Sequence, residues 1–206
     1  MDNILISLGG DCSVERNQLL DRYKYVFGVD AGTEHLYKLF FQPTHIIGDF
    51  DSIEENTKNR AIRDSAEVLS YSINKEQTDL DIALQLAKEK LIKNITIVGG
   101  EGKELDHLFA NLITISSFHT SEEITWLTKL ETIIFSNSNQ FHLKENSIFS
   151  ILPLSAINNL TIQGAKWNVL NQNIPYGSTK TLRNIALSNQ VKINVEKGKF
   201  CLIAKN

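Results

Sequence analysis

Four of the five short apolar runs in the first hundred residues end on glycine or aspartate. Ile4–Leu8 stops at Gly9-Gly10, Tyr25–Val29 at Asp30, Thr44–Ile47 at Gly48, and Ile95–Val98 at Gly99-Gly100. A weaker fifth run covers Glu67–Leu69. Runs this uniformly apolar read as strands covered on both faces. Helical stretches separate them. The clearest is Asp79–Leu91, where Leu80, Ala83, Leu84, Ala87 and Leu91 recur at helical spacing. Strand–helix alternation predicts a parallel α/β sheet. It also gathers the strand ends at one edge, where open α/β sheets bind their ligands.

The pattern changes between residues 120 and 138. Short strand candidates follow at Ile124–Leu127, Glu131–Phe135, Gln140–Leu143, Ser147–Leu152, Asn158–Ile162, Val191–Val195 and Phe200–Ala204. Asn, Ser and Gly punctuate them at hairpin-like intervals, and Glu196-Lys197-Gly198-Lys199 reads as a tight hairpin turn. This half is expected to be an antiparallel sandwich or barrel.

Charge divides the same way. The chain carries −3 overall, but Ser136–Asn206 holds eight Lys/Arg and two Asp/Glu, a net +6, which leaves −9 for residues 1–135. Every Asp lies in the acidic part, so a carboxylate site belongs there. A small net negative charge gives no general affinity for nucleic acid. The start, Met1-Asp2-Asn3-Ile4-Leu5-Ile6, lacks the pattern of a signal peptide, and no apolar run approaches a membrane span. Cys12 and Cys201 match no zinc or redox spacing. The expectation is a cytoplasmic protein with no membrane or nucleic-acid partner.

The candidate chemistry sits at the strand ends. Gly48-Asp49-Phe50-Asp51-Ser52 places two acids at i and i+2 just beyond a strand, where both can face one hard cation. Asp30 ends another strand, and Thr78, Asp79 and Asp81 open a helix. Acids repeated along one edge repel one another unless a cation or donors offset them. Gly9-Gly10 and Gly99 to Gly102 expose backbone N–H groups to an anion. Each feature also has an ordinary structural use. Thr78 suits a helix N-cap and Asp81 a first-turn acid. His35, His45, His119 and His142 share no metal spacing and read as structural or exposed; His107 beside Asp106 is the exception in company.

In this order the motifs resemble the thiamin pyrophosphokinase family. Its Asp-Gly-Gly element is similar to Asp30-Ala31-Gly32, and its Gly-Asp-x-Asp-Ser element to Gly48 to Ser52. Its Thr-Asp element matches Thr78 to Leu84, and its Gly-Gly, Asp-His and Ala-Asn elements match Gly99-Gly100, Asp106-His107 and Ala110-Asn111. Gly164-Ala165-Lys166-Trp167 and Asn184 resemble the segments around the thiamin pocket. The resemblance implies a Rossmann-like α/β domain over 1–130 that binds ATP and Mg²⁺, and a β-sandwich over 131–206 that binds thiamin. It implies a homodimer with thiamin near the subunit interface, and transfer of pyrophosphate from ATP to the thiamin hydroxyl. Asp49, Asp51 and Asp79 would then be the metal and catalytic acids. Asp30, Gly32, Thr78, Gly99, Gly100, Lys103 and Asp106 would support the nucleotide. Trp167, Arg183 and Asn184 would bind thiamin, with Trp167 offering an aromatic face to a cation.

Three positions depart from the family pattern. Ala31 replaces the first Gly of Asp-Gly-Gly, Glu104 stands where an Arg is usual with Lys103 beside it, and Arg183 replaces a Ser before Asn184. A lysine is a point charge and not a fork, so phosphate geometry is expected to differ. Two other readings stay open: a pyrophosphokinase for another hydroxymethyl heterocycle such as a pterin, and an inactive sensor of thiamin or nucleotide. The residue that accepts the hydroxyl proton, Asp79 or Asp51, is likewise open.

Overall fold

The computed structural model describes residues 2–71, 77–102, 104–119 and 121–206. The chain divides into two compact units, one ending at Lys129 and one running Leu130–Asn206.

In the first unit the strands are β1 (Asn3–Ser7), β2 (Tyr25–Val29), β3 (His45–Gly48), β4 (Glu67–Ser70), β5 (Asn94–Val98) and β6 (Glu123–Leu127). Helices α1 (Gly32–Lys38), α2 (Glu55–Arg63), α3 (Asp79–Glu89) and α4 (Leu105–Phe118) connect them. The strands run parallel in the order β6-β5-β1-β2-β3-β4. Strand order therefore reverses between β1 and β5, the place where such sheets open a crevice beyond their carboxyl ends. Ile4, Leu5 and Ile6 of β1 are fully buried, as a central strand covered on both faces requires.

Two expectations change here. The sequence pattern puts Ile124–Leu127 with the antiparallel half, yet β6 pairs parallel with β5. Helix α3 also stops at Glu89. Leu91 adopts φ +57 and is 85% exposed, while the N–H groups of Leu91 and Ile92 cap the carbonyls of Lys88 and Ala87. This is a left-handed helix stop in which Ile92 takes the buried place that periodicity gives to Leu91.

The second unit holds β7 (Glu131–Phe135), β8 (Gln140–His142), β9 (Ile148–Pro153), β10 (Ile157–Gln163), β11 (Val169–Ile174), β12 (Asn184–Ile185), β13 (Gln190–Asn194) and β14 (Phe200–Lys205). They pair antiparallel as β12-β9-β14-β7 and as β11-β10-β13-β8. Burial alternates along β9, and one apolar cluster draws Phe149, Ile151 and Leu202 from the first group and Phe141, Leu160, Ile162 and Val191 from the second. The turn at 196–199 is not a hairpin between partners. It carries the chain from β13, paired with β8 and β10, to β14, paired with β7 and β9.

Cys201 is buried, which pushes its thiol up to about 12, and burial also raises the thiol of Cys12. Among the described residues no helix is long and apolar enough to cross a membrane.

Candidate active site

The strand ends of the first unit close around one cleft of about 820 Å³. Leu8 to Asp11 contribute from beyond β1, Val29 and Asp30 from β2, and Asp49, Asp51 and Ser52 from beyond β3. Gln77 to Leu80 contribute from the start of α3, and Gly100 to Gly102, Glu104, His107, Ala110 and Asn111 from the loop after β5 and from α4.

Asp30 organises the acidic wall. Its backbone is left-handed, φ +45, and its N–H donates to the Ile47 carbonyl at 3.0 Å. Its Oδ1 accepts the Phe50 N–H at 3.1 Å, and Phe50 is also left-handed at φ +64. Such conformations cost free energy and persist where surrounding contacts hold them. Gly48 is needed for space as much as for its φ of +147: a Cβ there would lie 1.8 Å from Asp30 Oδ1. Asp49 Oδ1 accepts the Asp51 N–H at 3.2 Å, which folds the acidic turn on itself.

Burial pushes the Asp30 carboxyl up to about 7, reinforced by the charge of Asp79, a hydrogen bond with Asp79, and the charge of Asp49; the Phe50 N–H opposes the rise. Asp30 therefore keeps its proton to a higher pH than an ordinary carboxyl does. Asp11, Asp30, Asp49, Asp51, Asp79, Glu101 and Glu104 all line the cleft, and among the described residues no Lys or Arg does. This donor set fits a hard divalent cation, which takes carboxylate oxygens and keeps positions for phosphate.

The loops after β1 and β5 are joined. Gly100 N–H donates to the Gly9 carbonyl at 2.8 Å, and Asp11 N–H donates to that of Glu101. Trp126 Nε1 holds the Gly99 carbonyl at 2.9 Å, and the Glu101 carboxylate accepts the Lys129 N–H.

Thr78 lines the cleft but spends its hydroxyl locally. It caps α3 by accepting the Asp81 N–H at 3.2 Å and donates to Asp81 Oδ2 at 2.6 Å, while its own N–H donates to the same carboxylate. Asp79 follows as the first residue of α3. Asp106 lies on the first turn of α4 and accepts the N–H of His107, which pairs with Glu104 at 3.4 Å. Gly32 and Gly99 are points of close backbone approach, against Ser7 and Leu8, and do not line the cleft. Lys103 lies outside the described residues.

Comparison with known proteins gives this cleft its context. Residues 16–127 match the family model for the catalytic domain of thiamin pyrophosphokinase, and residues 131–200 match the vitamin B1 binding domain of the same family. The chain belongs to the thiamin pyrophosphokinase family of enzymes. Thiamine pyrophosphokinase of Bacillus subtilis (strain 168) is 30% identical over 188 residues, which cover 89% of this chain and 88% of that protein. A solved structure of thiamine pyrophosphokinase from Bacillus subtilis has TM-score 0.87 at 27% identity, covering 100% of this chain and 99% of that one. A solved thiamin pyrophosphokinase from Geobacillus thermodenitrificans has TM-score 0.84 at 25% identity, covering 99% and 97%.

Within the stretch matched by the vitamin B1 binding domain, Trp167 is 54% exposed and Lys166 Nζ sits 4.9 Å from its ring centroid. Asn184 is buried and committed to the Trp167 backbone. Its Oδ1 accepts the Trp167 N–H at 3.1 Å and its Nδ2 donates to the Trp167 carbonyl at 2.8 Å. Arg183 is left-handed, φ +57, and its N–H donates to Ser150 Oγ at 2.9 Å. Of the family departures, Ala31 is absorbed: it is helical, φ −56 and ψ −18, so its Cβ meets no strain. Sequence reasoning did not single out Asp11 or Glu101, although each follows a glycine pair at a strand end. His35 gave no signal at all; its Nε2 lies 2.9 Å from the Gly10 carbonyl, which is 25 residues away in the chain.

Proposed function

We propose that this chain transfers the pyrophosphoryl group of ATP to the hydroxyl of thiamin, giving thiamin diphosphate and AMP in a Mg²⁺-dependent reaction. The observation that carries this reading is the convergence of Asp30, Asp49, Asp51 and Asp79 on one cleft, in a chain whose halves match the catalytic and vitamin-binding models of one family. The α/β part, 1–130, is read as a Rossmann-like catalytic domain for ATP. The part over 131–206 is read as a β-sandwich for thiamin, supported by the apolar cluster that both antiparallel groups share.

Asp49, Asp51 and Asp79 would hold Mg²⁺, which when bound neutralises charge on phosphate oxygens. The chain's own residues do the rest. The thiamin hydroxyl oxygen bonds to the β-phosphorus, the bond from that phosphorus to the bridging oxygen breaks, and AMP leaves with the electron pair. The hydroxyl proton passes to a cleft carboxylate, Asp79 or Asp51. Catalysis of this kind is mostly positioning. Asp30 aims the β3 turn through Phe50, and Thr78 aims Asp79 through the cap. Gly32 and Gly99 let the backbone approach closely, and Gly100, Asp106 and Lys103 would support the nucleotide, as the family resemblance implies. Trp167 offers its ring to the thiamin cation, held there by Asn184, with Arg183 beside it.

A homodimer in the cytoplasm completes the reading. Its support is the exposed apolar stripe of Leu105, Phe109 and Ile113 on α4, which is 57–67% exposed, and the opposite charges of the two parts of the chain.

The deciding experiment measures AMP release from ATP and Mg²⁺ with thiamin, without it, or with a hydroxymethyl pterin instead. Thiamin-dependent AMP with matching thiamin diphosphate is expected. AMP release only with the pterin would replace thiamin as substrate, and none in any arm would make the chain a binding protein.

A further inference from the structure

We propose that His35 is a positioning residue for the nucleotide: it holds the Gly10 carbonyl and thereby presents the Gly10 N–H to a phosphate oxygen. The proposal rests on the ATP reading given above. His35 belongs to α1, and its Nε2 lies 2.9 Å from the Gly10 carbonyl oxygen. A carbonyl only accepts, so Nε2 carries the proton in this contact. The neutral Nε2–H ring and the imidazolium both donate there, so the bond survives titration of the ring.

The same peptide unit is held at its other end, because Asp11 N–H donates to the Glu101 carbonyl. One unit earlier, the Gly9 carbonyl accepts the Gly100 N–H. A trans peptide points its N–H opposite to its C=O, so the Gly10 N–H faces away from Gly100. Among the described residues that N–H has no hydrogen-bond partner, and Gly10 lines the cleft. Gly10 is left-handed at φ +82, and a Cβ there would lie 2.4 Å from the Glu101 carbonyl oxygen. Three hydrogen bonds, from His35, Asp11 and Gly100, therefore fix a glycine turn that keeps one donor free.

Free N–H groups in left-handed turns are anion donors. Their aim matters more here than in a basic site. The described acidic and basic side chains lining this cleft are all carboxylates apart from His107, so its backbone N–H groups are among the few donors there for phosphate oxygens, beside the side chains of Ser52, Gln77 and Asn111. Without His35 the Gly10–Asp11 peptide is held at one end only.

The test compares His35→Phe, which keeps a ring but has no donor, with His35→Gln, whose amide donates from a similar reach. Calorimetric affinity for ATP with Mg²⁺ is read beside the KM for each substrate. Loss of one such hydrogen bond is expected to weaken ATP affinity about five- to tenfold in the Phe variant. The KM for thiamin should stay unchanged, and the Gln variant should recover most of the loss. Equal weakening toward both substrates, unchanged ATP affinity in the Phe variant, or no recovery with Gln would each overturn the role. If the Phe variant does not fold, His35→Asn replaces it, since its amide falls one carbon short of Gly10. The two readings fail separately. A wild-type protein that binds ATP but makes no thiamin-dependent AMP removes the proposed reaction and leaves the His35 comparison standing. A wild-type protein that binds no ATP overturns both.

Discussion

Asp30 carries a conflict that the surrounding residues impose. Its carboxyl is pushed up to about 7, mainly by burial and then by Asp79. The unfolded value is about 3.9. A folded pKa above the unfolded one means that ionisation opposes folding. That penalty is absent below about pH 4, grows as pH rises toward 7, and is complete above it. Asp30→Asn should therefore raise the melting temperature of the chelator-treated protein at about pH 8 and leave it nearly unchanged at about pH 4, while pyrophosphate transfer falls. Equal melting temperatures at the higher pH would show that Asp30 is not strained by its neighbours. Gly48 belongs to the same contact. Gly48→Ala meets Asp30 Oδ1 and is expected to cost about 1–3 kcal/mol by urea denaturation. That cost should shrink in an Asp30→Gly background, because the two residues share one space. The sequence shows that the Gly48 turn is acidic and tight. It does not show that Asp30 fills the room left by the missing side chain, because that contact joins two strand ends.

At the scale of elements, α3 was legible at its start and misleading at its end. Thr78, Asp79 and Asp81 are an N-terminal signature, and the structure uses Thr78 and Asp81 as a reciprocal cap. Thr78→Ala should cost about 1 kcal/mol in the urea midpoint. It should also lower turnover more than Thr78→Ser, since Asp79 follows the cap directly. A Ser variant as slow as the Ala variant would sever the cap from the chemistry. The end of α3 escaped because Leu91 fits the apolar period, while the left-handed stop depends on backbone bonds that carry no side-chain signal. Pairing partners escaped for a related reason. Ile124–Leu127 reads as a strand from its own residues, but whether it runs parallel to β5 or antiparallel to a later strand is a non-local choice. β11, Val-Leu-Asn-Gln-Asn-Ile, was missed because it lacks the alternation of a half-buried strand; its Leu170 is 71% exposed.

For the whole molecule, the change from parallel α/β to antiparallel strands was readable from the shift in pattern, and the division into units falls after Lys129. The convergence of the acids was inferable once the strands were taken as parallel, since their carboxyl ends must share an edge. What a single chain's pattern does not reveal is why α4 leaves Leu105, Phe109 and Ile113 exposed at intervals of four. That spacing puts all three on one face of the helix. A helix of a lone domain turns such a face to its core, but in α4 only Ile115 is fully buried. A second copy of the chain is the proposed cover. Sedimentation of the wild-type protein should then give twice the 23.2 kDa chain mass. Ile113→Lys places a charge in the stripe, at a position that does not itself line the cleft, and keeps a good helix former. It is expected to sediment as one chain, with unchanged helix content by circular dichroism. A wild-type protein of single-chain mass would refute the dimer, and an Ile113→Lys dimer would move the interface to another face.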